Sequence, residues 1–508
     1  MLKESDWTTF ASYKTNLLYN LKSHMHLFEK KFFLHSNIVA KFYTLNTDTL
    51  FEIIYPLYST KGRPAKLQPE IFRSFILMSS LCIHSIEKWV DTLKSEPFYA
   101  YLIGTTPNKI PELGNHYYFI NRLWQESPQK LLDDRNSLRN PYNKPDKPKG
   151  KNQKSTPRKP GVVDRLVNFL SKNKSFKRTP DRVFRKIFDK MALIPSMTAG
   201  FITENNLLSI SGDGTPVITS GSSYGTKVCD CKEKGIYNCS CKRKFSDPDA
   251  RWGWDSYHEQ YFFGYHAYFL SSYNKALKLD LPLYFSLNQG SRHYSASLIF
   301  ALNDFNKTVP LSSIDNLILD SAHDNYPTYN FLSKHSINPI IALNKTPRGN
   351  KKYESLQVNP NGIPICNKNC KMTFWGYCTG RHRLKWRCPL ATKNIDICVH
   401  KGSCSPSEYG RTFYTKPDYD KRLFTIIPRN SDEWKELFKR RSSAERVNSR
   451  LLNDYNLELH SSLSKKVWSF WTMIHSINIH LDAHVKYGSI NSAFVKKIIT
   501  ASNIGIPA

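Results

Sequence analysis

A chain of 508 residues exceeds one compact domain, and two to four are expected. Lys and Arg number 73 against 42 acidic residues, a net charge of +31, and 40% of residues are apolar. That balance allows sizeable cores and calls for a polyanionic partner, of which nucleic acid is the commonest.

The best apolar run, residues 75–83, is short and sits beside Arg73 and Glu87, so no transmembrane span is expected. The N-terminus lacks the apolar core of a signal peptide. A cytoplasmic location follows, and the eleven cysteines read as free thiols or metal ligands rather than disulfides.

Residues 1–127 read as helical. Pro69 opens a helix through Ile71, Phe72, Phe75 and Ile76. A second starts near Ser85, with Ile86, Trp89, Val90 and Leu93 on one face, and Glu96-Pro97 stops it. Two short, tightly joined helices in a basic chain suggest a helix-turn-helix-like DNA-binding domain, with a plain helical bundle as the alternative. Residues 128–160 have no apolar period and are rich in Lys and Pro, the composition of a disordered basic linker. Residues 161–200 read as a helical connector, with helices near 162–172 and 180–193 and Thr179 as N-cap of the second.

From residue 201 the pattern turns to strands. Leu207–Ser211 runs into Gly212-Asp213-Gly214, followed by strands at 261–273 and 281–287 and a helix at 295–305. A buried strand at 317–319 ends at Asp320, then come a helix at 325–335 and a strand at 337–343. Three consecutive strands form an antiparallel meander, and the later ones pair in parallel through helices. This α/β order is that of a ribonuclease H-like mixed sheet. Residues 346–420 interrupt it with a Cys-rich basic and aromatic insertion. Arg422–Ile427 reads as a strand returning to the main body within the segment 421–490, and 491–508 as a tail.

Ser431 caps a long helix in which Trp434, Phe438, Arg441, Glu445, Asn448 and Leu452 recur on one face at steps of three and four. A Glu on such a stripe needs a partner: Arg441, as an ion pair, or a metal ion. In the expected sheet the ends of the first and fourth strands are adjacent and this helix crosses them. Asp213, Asp320 and Glu445 then converge. Three carboxylates together suit hard divalent cations, Mg²⁺ or Mn²⁺, and two such ions would activate water or a 3′-hydroxyl for attack on a phosphodiester. Asp324, four residues beyond Asp320, is a rival second ligand.

Several stretches carry a resemblance. Ser211-Gly-Asp-Gly-Thr-Pro216, Asp247-Pro-Asp-Ala-Arg-Trp-Gly-Trp-Asp255, Tyr261-Phe-Phe-Gly-Tyr-His266 and Leu317-Ile-Leu-Asp-Ser-Ala-His-Asp324 resemble motifs of bacterial insertion-sequence transposases of the DDE type. Phe438-Lys-Arg-Arg441-Ser-Ser-Ala-Glu445 resembles their Tyr-x2-Arg-x3-Glu-x6-Lys signature, with Phe438 for Tyr and Leu452 for Lys. Gly62-Arg-Pro64 and the helices after it resemble the family's DNA-binding region. The resemblance implies catalytic Asp213, Asp320 and Glu445, and cleavage at terminal inverted repeats followed by strand transfer into target DNA. It also implies DNA contacts from Phe438, Arg441, Arg446 and Arg450, and work in the bacterial cytoplasm on nucleoid DNA. A homodimer on DNA is expected because two ends must be joined together. The alternatives are a catalytically silent DNA-binding derivative and a metal-dependent nuclease of the same fold.

Cys229-x-Cys231-x7-Cys239-x-Cys241 places four thiols within thirteen residues, dense enough for a structural Zn²⁺ site. Cys366, Cys370, Cys378, Cys388, Cys398 and Cys404, with His382 and His400, form a looser set that could hold a second metal. In the same insertion Arg381, Arg383, Lys385 and Trp386 alternate cation and aromatic, which suits stacking on unpaired bases and contact with phosphates.

Overall fold

The computed structural model describes residues 1–126, 138–139, 160–203, 207–344, 357–392, 404–407, 409–429, 431–460 and 463–501. Most of the expected linker at 128–160 lies outside them.

The N-terminal region is helical, with α1 (Phe10–Ser23), α2 (Met25–Leu34), α3 (Ser36–Thr44), α4 (Asp48–Ile54), α5 (Gln68–Ser80), α6 (Ile86–Ser95), α7 (Pro97–Ile103) and α8 (Leu113–Leu123). Ser85 caps α6 by accepting from Lys88 N, and its buried face is Ile86, Trp89, Val90 and Leu93, as the spacing predicts. The helix-turn-helix-like expectation fares less well than its alternative, the plain bundle. Every residue of α5 from Gln68 to Ser79 is buried, Glu70 and Arg73 included. The Arg73 guanidinium lies over the Tyr13 ring at 3.8 Å and donates to Ile103 O and Thr47 Oγ1. The exposed face of α6 mixes Glu87 and Asp91 with Lys88 and Lys94, a poor match to a phosphate backbone. These helices have the character of a bundle.

Two helices follow, α9 (Val162–Ser171) and α10 (Arg182–Phe188). The second continues through a π-helical turn at Asp189–Leu193 into α11 (Ile194–Thr198), and it begins two residues later than expected.

The central sheet has six strands: β1 (Leu208–Ile218), β2 (Arg251–Asp255), β3 (Gln260–Asn274), β4 (Leu279–Gln289), β5 (Ile314–Leu319) and β6 (Asn338–Ile341). Across it the order is β4, β3, β1, β5, β6, with β2 paired to the start of β3. β1, β3 and β4 form the antiparallel meander, and β5 and β6 run parallel to β1. Helix α12 (Tyr294–Phe305) connects β4 to β5, and α13 (Tyr326–Lys334) connects β5 to β6. Burial is continuous from Phe262 to Ser272 in β3. Successive side chains point to opposite faces, so both faces of the sheet are covered.

A second sheet in the insertion joins β7 (Thr373–Cys378), β8 (Arg383–Arg387) and β9 (Thr412–Thr415), all antiparallel. Cys366, Met372, Leu384, Trp386 and Phe424 form its own small core. The strand expected at 422–427 is absent. That segment is held by side chains instead: buried Arg429 donates to Ile341 O, Arg422 O and Tyr329 Oη, and buried Arg422 pairs with Asp324.

The helix expected to run from Ser431 past Leu452 is broken. It consists of α14 (Asp432–Lys439) and α15 (Ser442–Ser449), the latter running into a π-helical turn at Arg450–Asp454. The break lies between two apolar clusters. Trp434, Leu437 and Phe438 of α14 pack on Ile318, Ile340 and Ile427, whereas Val447 and Leu451 join the main core. One straight helix would not serve both.

Helix α16 (Lys465–Tyr487) is the hub of that core. Ser464 caps it by accepting from Val467 N, and it is buried along most of its length between α3, α5, α10 and β4. His475 and His480 are core residues, bonded to Ser79 Oγ and Ser196 Oγ. A single apolar cluster therefore reaches from Leu2 to Ile499, and the core does not divide at residue 127. The expected tail carries α17 (Ser492–Thr500), whose Val495 and Ile499 are buried, with the helix packed on α3. Among the described residues no helix is long and apolar enough to cross a membrane.

Candidate active site

Asp213 and Asp320 lie at the same level on two neighbouring parallel strands, just past the end of their shared ladder. Gly212 of β1 pairs with Leu319 of β5, the last pair of that ladder, and each aspartate is the next residue. Neighbouring strands lie about 4.8 Å apart, so the two carboxylates are near neighbours. Asp213, expected to end the first strand, lies inside it. β1 runs on to Ile218 against β3, and only its parallel pairing stops.

The two glycines have a packing reason. A Cβ at Gly212 would lie 2.8 Å from Tyr268 Oη and 2.9 Å from Leu319 Cδ2, and one at Gly214 would lie 2.6 Å from the Tyr294 ring. The Gly-Asp-Gly stretch is an extended segment pared down so that Tyr268 and Tyr294 can pack against β1 on the face opposite to Asp213.

Electrostatics separate the two acids. Burial pushes the Asp213 carboxyl up to about 6; the charge of Asp320 adds to this, while the Gly214 N–H, His323 and Arg441 pull the other way. Burial also acts upward on Asp320. There it is outweighed by the bond from His323 Nδ1 at 2.6 Å, the attraction of His323, the Ala322 N–H at 3.2 Å and Arg441, so this carboxyl stays below its ordinary value. His323 is fully buried, and its Nε2 accepts from Tyr268 Oη at 3.0 Å. Burial first, then the charges of Asp213 and Asp320, hold Tyr268 protonated and a donor. The chain Tyr268–His323–Asp320 thus fixes the His323 tautomer and the orientation of Asp320.

Asp324, the rival, is committed elsewhere. It is buried, receives Nε and Nη2 of Arg422 at 2.7 and 2.6 Å, and also accepts from Tyr329 Oη and Asn344 N. Those bonds fill it and tie residues 420–429 to the sheet.

Glu445 lies on α15, which packs across β1, β3 and β4. It is not on a buried stripe: the buried residues of α15 are Ser443, Ala444, Val447 and Asn448, and the Glu445 side chain is 49% exposed. Its Oε1 pairs with Arg441 Nη2 at 2.7 Å. Arg441, at the junction of α14 and α15, also exerts its charge on both aspartates. Asp213 and Asp320 are thus brought side by side, while Glu445 reaches them through a shared cation rather than as a gathered third carboxylate.

The donor set fits a hard divalent cation. Oδ1 of Asp213 accepts from Gly214 N, and Oδ1 of Asp320 from His323 and Ala322, whereas neither Oδ2 accepts from any described residue. Adjacent carboxylates that raise one another's proton affinity gain from a cation between them.

Of the expected DNA contacts, several are engaged within the protein. Phe438 stacks on Trp434 at 4.6 Å and packs in an apolar cluster. Arg446 forms a fork with Asp280 at 2.5 and 2.9 Å, and Arg450 pairs with Asp482 at 2.9 Å. Trp386 is buried and donates to Thr415 Oγ1, so it is a core residue of the small sheet and not a base platform. Alternation in β8 puts Leu384 and Trp386 inside and Arg383, Lys385 and Arg387 on the other face. There Arg383 lies over Tyr414 and Arg387 over Trp375, each at 3.8 Å, with Arg381 exposed nearby.

Among the described residues, Cys229, Cys231, Cys239 and Cys241 form the one group of three or more metal-ligand side chains with their ligand atoms drawn together. Cys366 and Cys388 are buried, and Cys366 belongs to the apolar core of the small sheet. Cys398 and His400 lie outside the described residues.

His323, Tyr268 and Tyr294 escaped the sequence reading. The signal for His323 was its position three residues after Asp320; nothing local pointed to the tyrosines.

A family model described as a transposase DDE domain matches residues 213–479, from Asp213 through Glu445 into α16 and over more than half of the chain. No curated protein matches the chain.

Proposed function

The chain belongs to the transposase DDE family, and from that premise we propose that it cuts DNA at the ends of an insertion sequence and joins them to target DNA. The observation that carries the reading is the pair Asp213 and Asp320 at the end of the β1–β5 ladder, under a helix bearing Arg441 and Glu445. The strand order β4-β3-β1-β5-β6 supports a ribonuclease H-like catalytic fold.

Asp213 and Asp320, with Glu445, would hold Mg²⁺ or Mn²⁺, two ions in the full site. Bound there, such ions supply a polarised nucleophile, water or a 3′-hydroxyl, and stabilise the leaving oxygen of a phosphodiester. His323 and Tyr268 keep Asp320 ionised and oriented. Tyr268 and Tyr294 pack against the glycines on either side of Asp213 and so fix the course of β1 there. Arg441 orients Glu445 and offers a guanidinium to the phosphate.

DNA contact would come from the outward face of the small sheet, where Arg381, Arg383 and Lys385 stand with Arg387, Trp375 and Tyr414. Arg446 and Arg450 would serve the fold more than the DNA, since each has a carboxylate partner. A homodimer that holds both terminal repeats completes the reading.

The test is to mix the purified full chain with DNA carrying its element's terminal repeats and Mg²⁺ or Mn²⁺. Nicking at the ends followed by joining is expected. Intact ends would sink the enzymatic reading and leave a DNA-binding protein; breakage without joining would indicate a nuclease.

A further inference from the structure

The loop between β1 and β2 is anchored at its base and has no core at its tip. At the base, buried Asp247 accepts from Thr219 Oγ1 at 2.7 Å and Tyr265 Oη at 2.5 Å. From residue 221 to 244 not one residue is buried, and Val228, Ile236 and Tyr237 are each more than half exposed. Regular structure in this stretch is confined to one turn at Asp230–Lys232 and a small antiparallel sheet in which Arg243–Lys244 pairs with Thr226–Lys227 on one side and Leu138–Arg139 on the other. A segment with so little apolar burial needs another source of order.

Four thiols are placed to supply it. The Sγ atoms of Cys229, Cys231, Cys239 and Cys241 all lie within 4.8 Å of one another. Cys229 Sγ is 3.6 Å from Cys239 Sγ, and Cys231 Sγ is 3.5 Å from Cys241 Sγ. Tetrahedral Zn–S bonds of about 2.3 Å put sulfurs ~3.8 Å apart, within the range seen here. A disulfide would need sulfurs about 2.05 Å apart. We propose that Cys229, Cys231, Cys239 and Cys241 bind one Zn²⁺ as a closed tetrathiolate site that folds the loop at 221–244.

The surroundings suit that charge. Four thiolates around Zn²⁺ carry a net charge of minus two, and Lys227, Lys232, Lys242, Arg243 and Lys244 lie in the same loop. The thiols release their protons to solvent as the metal binds, and the loop's cations then face the anionic cluster. With four protein ligands no coordination position is open, so the site is structural. It lies apart from Asp213 and Asp320 in both residues and ligand chemistry: soft sulfur here, hard oxygen there. The ion would set the shape of a basic loop that joins the strand carrying Asp213 to the edge of the sheet.

The experiment uses the full chain, purified without added metal. Zinc is measured by elemental analysis, and Co²⁺ exchanged into the chain is read by its thiolate charge-transfer absorption. The wild type is expected to hold this zinc and to show the cobalt bands. Cys229→Ser with Cys239→Ser should contain one zinc fewer per chain and lose the bands assigned to the site. An unchanged zinc content in the double variant overturns the proposal, as does a wild type that binds neither metal or has these cysteines oxidised. Because the variant could fail to fold, the wild type is also digested with trypsin before and after chelation. Chelation should open the bonds after Lys232, Lys242 and Lys244 to rapid cleavage while the rest of the chain is cut no faster. Equal protection with and without chelator also overturns the proposal.

Discussion

The guanidinium of Arg441 pairs with the Glu445 carboxylate at 2.7 Å while its charge acts on Asp213 and Asp320. One cation at a helix junction thereby links three acids that are far apart in the chain.

Glu445→Gln should leave folding and DNA binding intact and stop strand breakage. The side chain is half exposed and its ion pair is worth no more than about 1 kcal/mol. Loss of a preorganised charged group at the reacting centre is expected to cost about a thousandfold or more in rate. End nicking and a gel-shift assay measured on the same preparation check this; retained cleavage would mean that another carboxylate carries the metal.

Asp213→Asn should stabilise the metal-free protein at neutral pH. Burial, then Asp320, raise the folded-state pKa of Asp213 from 3.8 to about 6. A raised carboxyl contributes stability that is fully present below its unfolded value and is lost as pH rises through about 6. The native state above pH 6 therefore carries the cost of a buried anion, up to about 3 kcal/mol for a shift of about two units. The gain in Tm from Asp213→Asn should vanish below about pH 4, grow between about pH 4 and 6, and be complete above about pH 6.

His323→Ala should act on both fold and reaction. It removes the donor that orients Asp320 and leaves the Tyr268 hydroxyl buried without its partner. A destabilisation of about 1–3 kcal/mol is expected from the unpaired group. A further fall of about 10- to 100-fold in metal affinity or rate should follow from the loosened ligand. Mn²⁺ titrations beside thermal melts separate the two effects.

Gly212→Ala should destabilise by about 1–3 kcal/mol through overpacking. The added methyl group would lie 2.8 Å from Tyr268 Oη and 2.9 Å from Leu319 Cδ2. Combining it with Tyr268→Phe removes the first contact, so the double variant should be more stable than the sum of the single effects predicts. Additive costs would show that the hydroxyl is not what excludes a side chain there.

Arg446→Ala should weaken the fold more than DNA binding, since Arg446 is held in a fork by Asp280. A salt-dependence slope for DNA binding that matches the wild type is the expected result. A slope lower by about one unit would mean that Arg446 touches a phosphate.

Much of this architecture was legible in local pattern. The strands around Leu208, Leu281 and Leu317, the helices at Tyr294–Phe305 and Tyr326–Lys334, and their order all appear as apolar periods of two and of 3.6 residues. Those periods depend only on neighbours along the chain. Once the order is known, Asp213 and Asp320 must emerge side by side, because β1 and β5 pair in parallel. The four-cysteine cluster is likewise a matter of close spacing, and its thiols do gather.

What the sequence by itself determined, then, was the succession of elements, the basic charge and the carrier of each acidic group. The tertiary structure decided which of those groups has a free oxygen. Asp324 looked equal to Asp320 until Arg422, 98 residues away, was found to fill it. Phe438 and Trp386 read as exposed contacts, yet each completes a small core assembled from other segments. The helix bearing Glu445 breaks at Arg441 because its two halves pack on different apolar clusters. In each case the deciding neighbour is remote in the chain, and burial and charge pairing depend on distance in space, which no local period encodes.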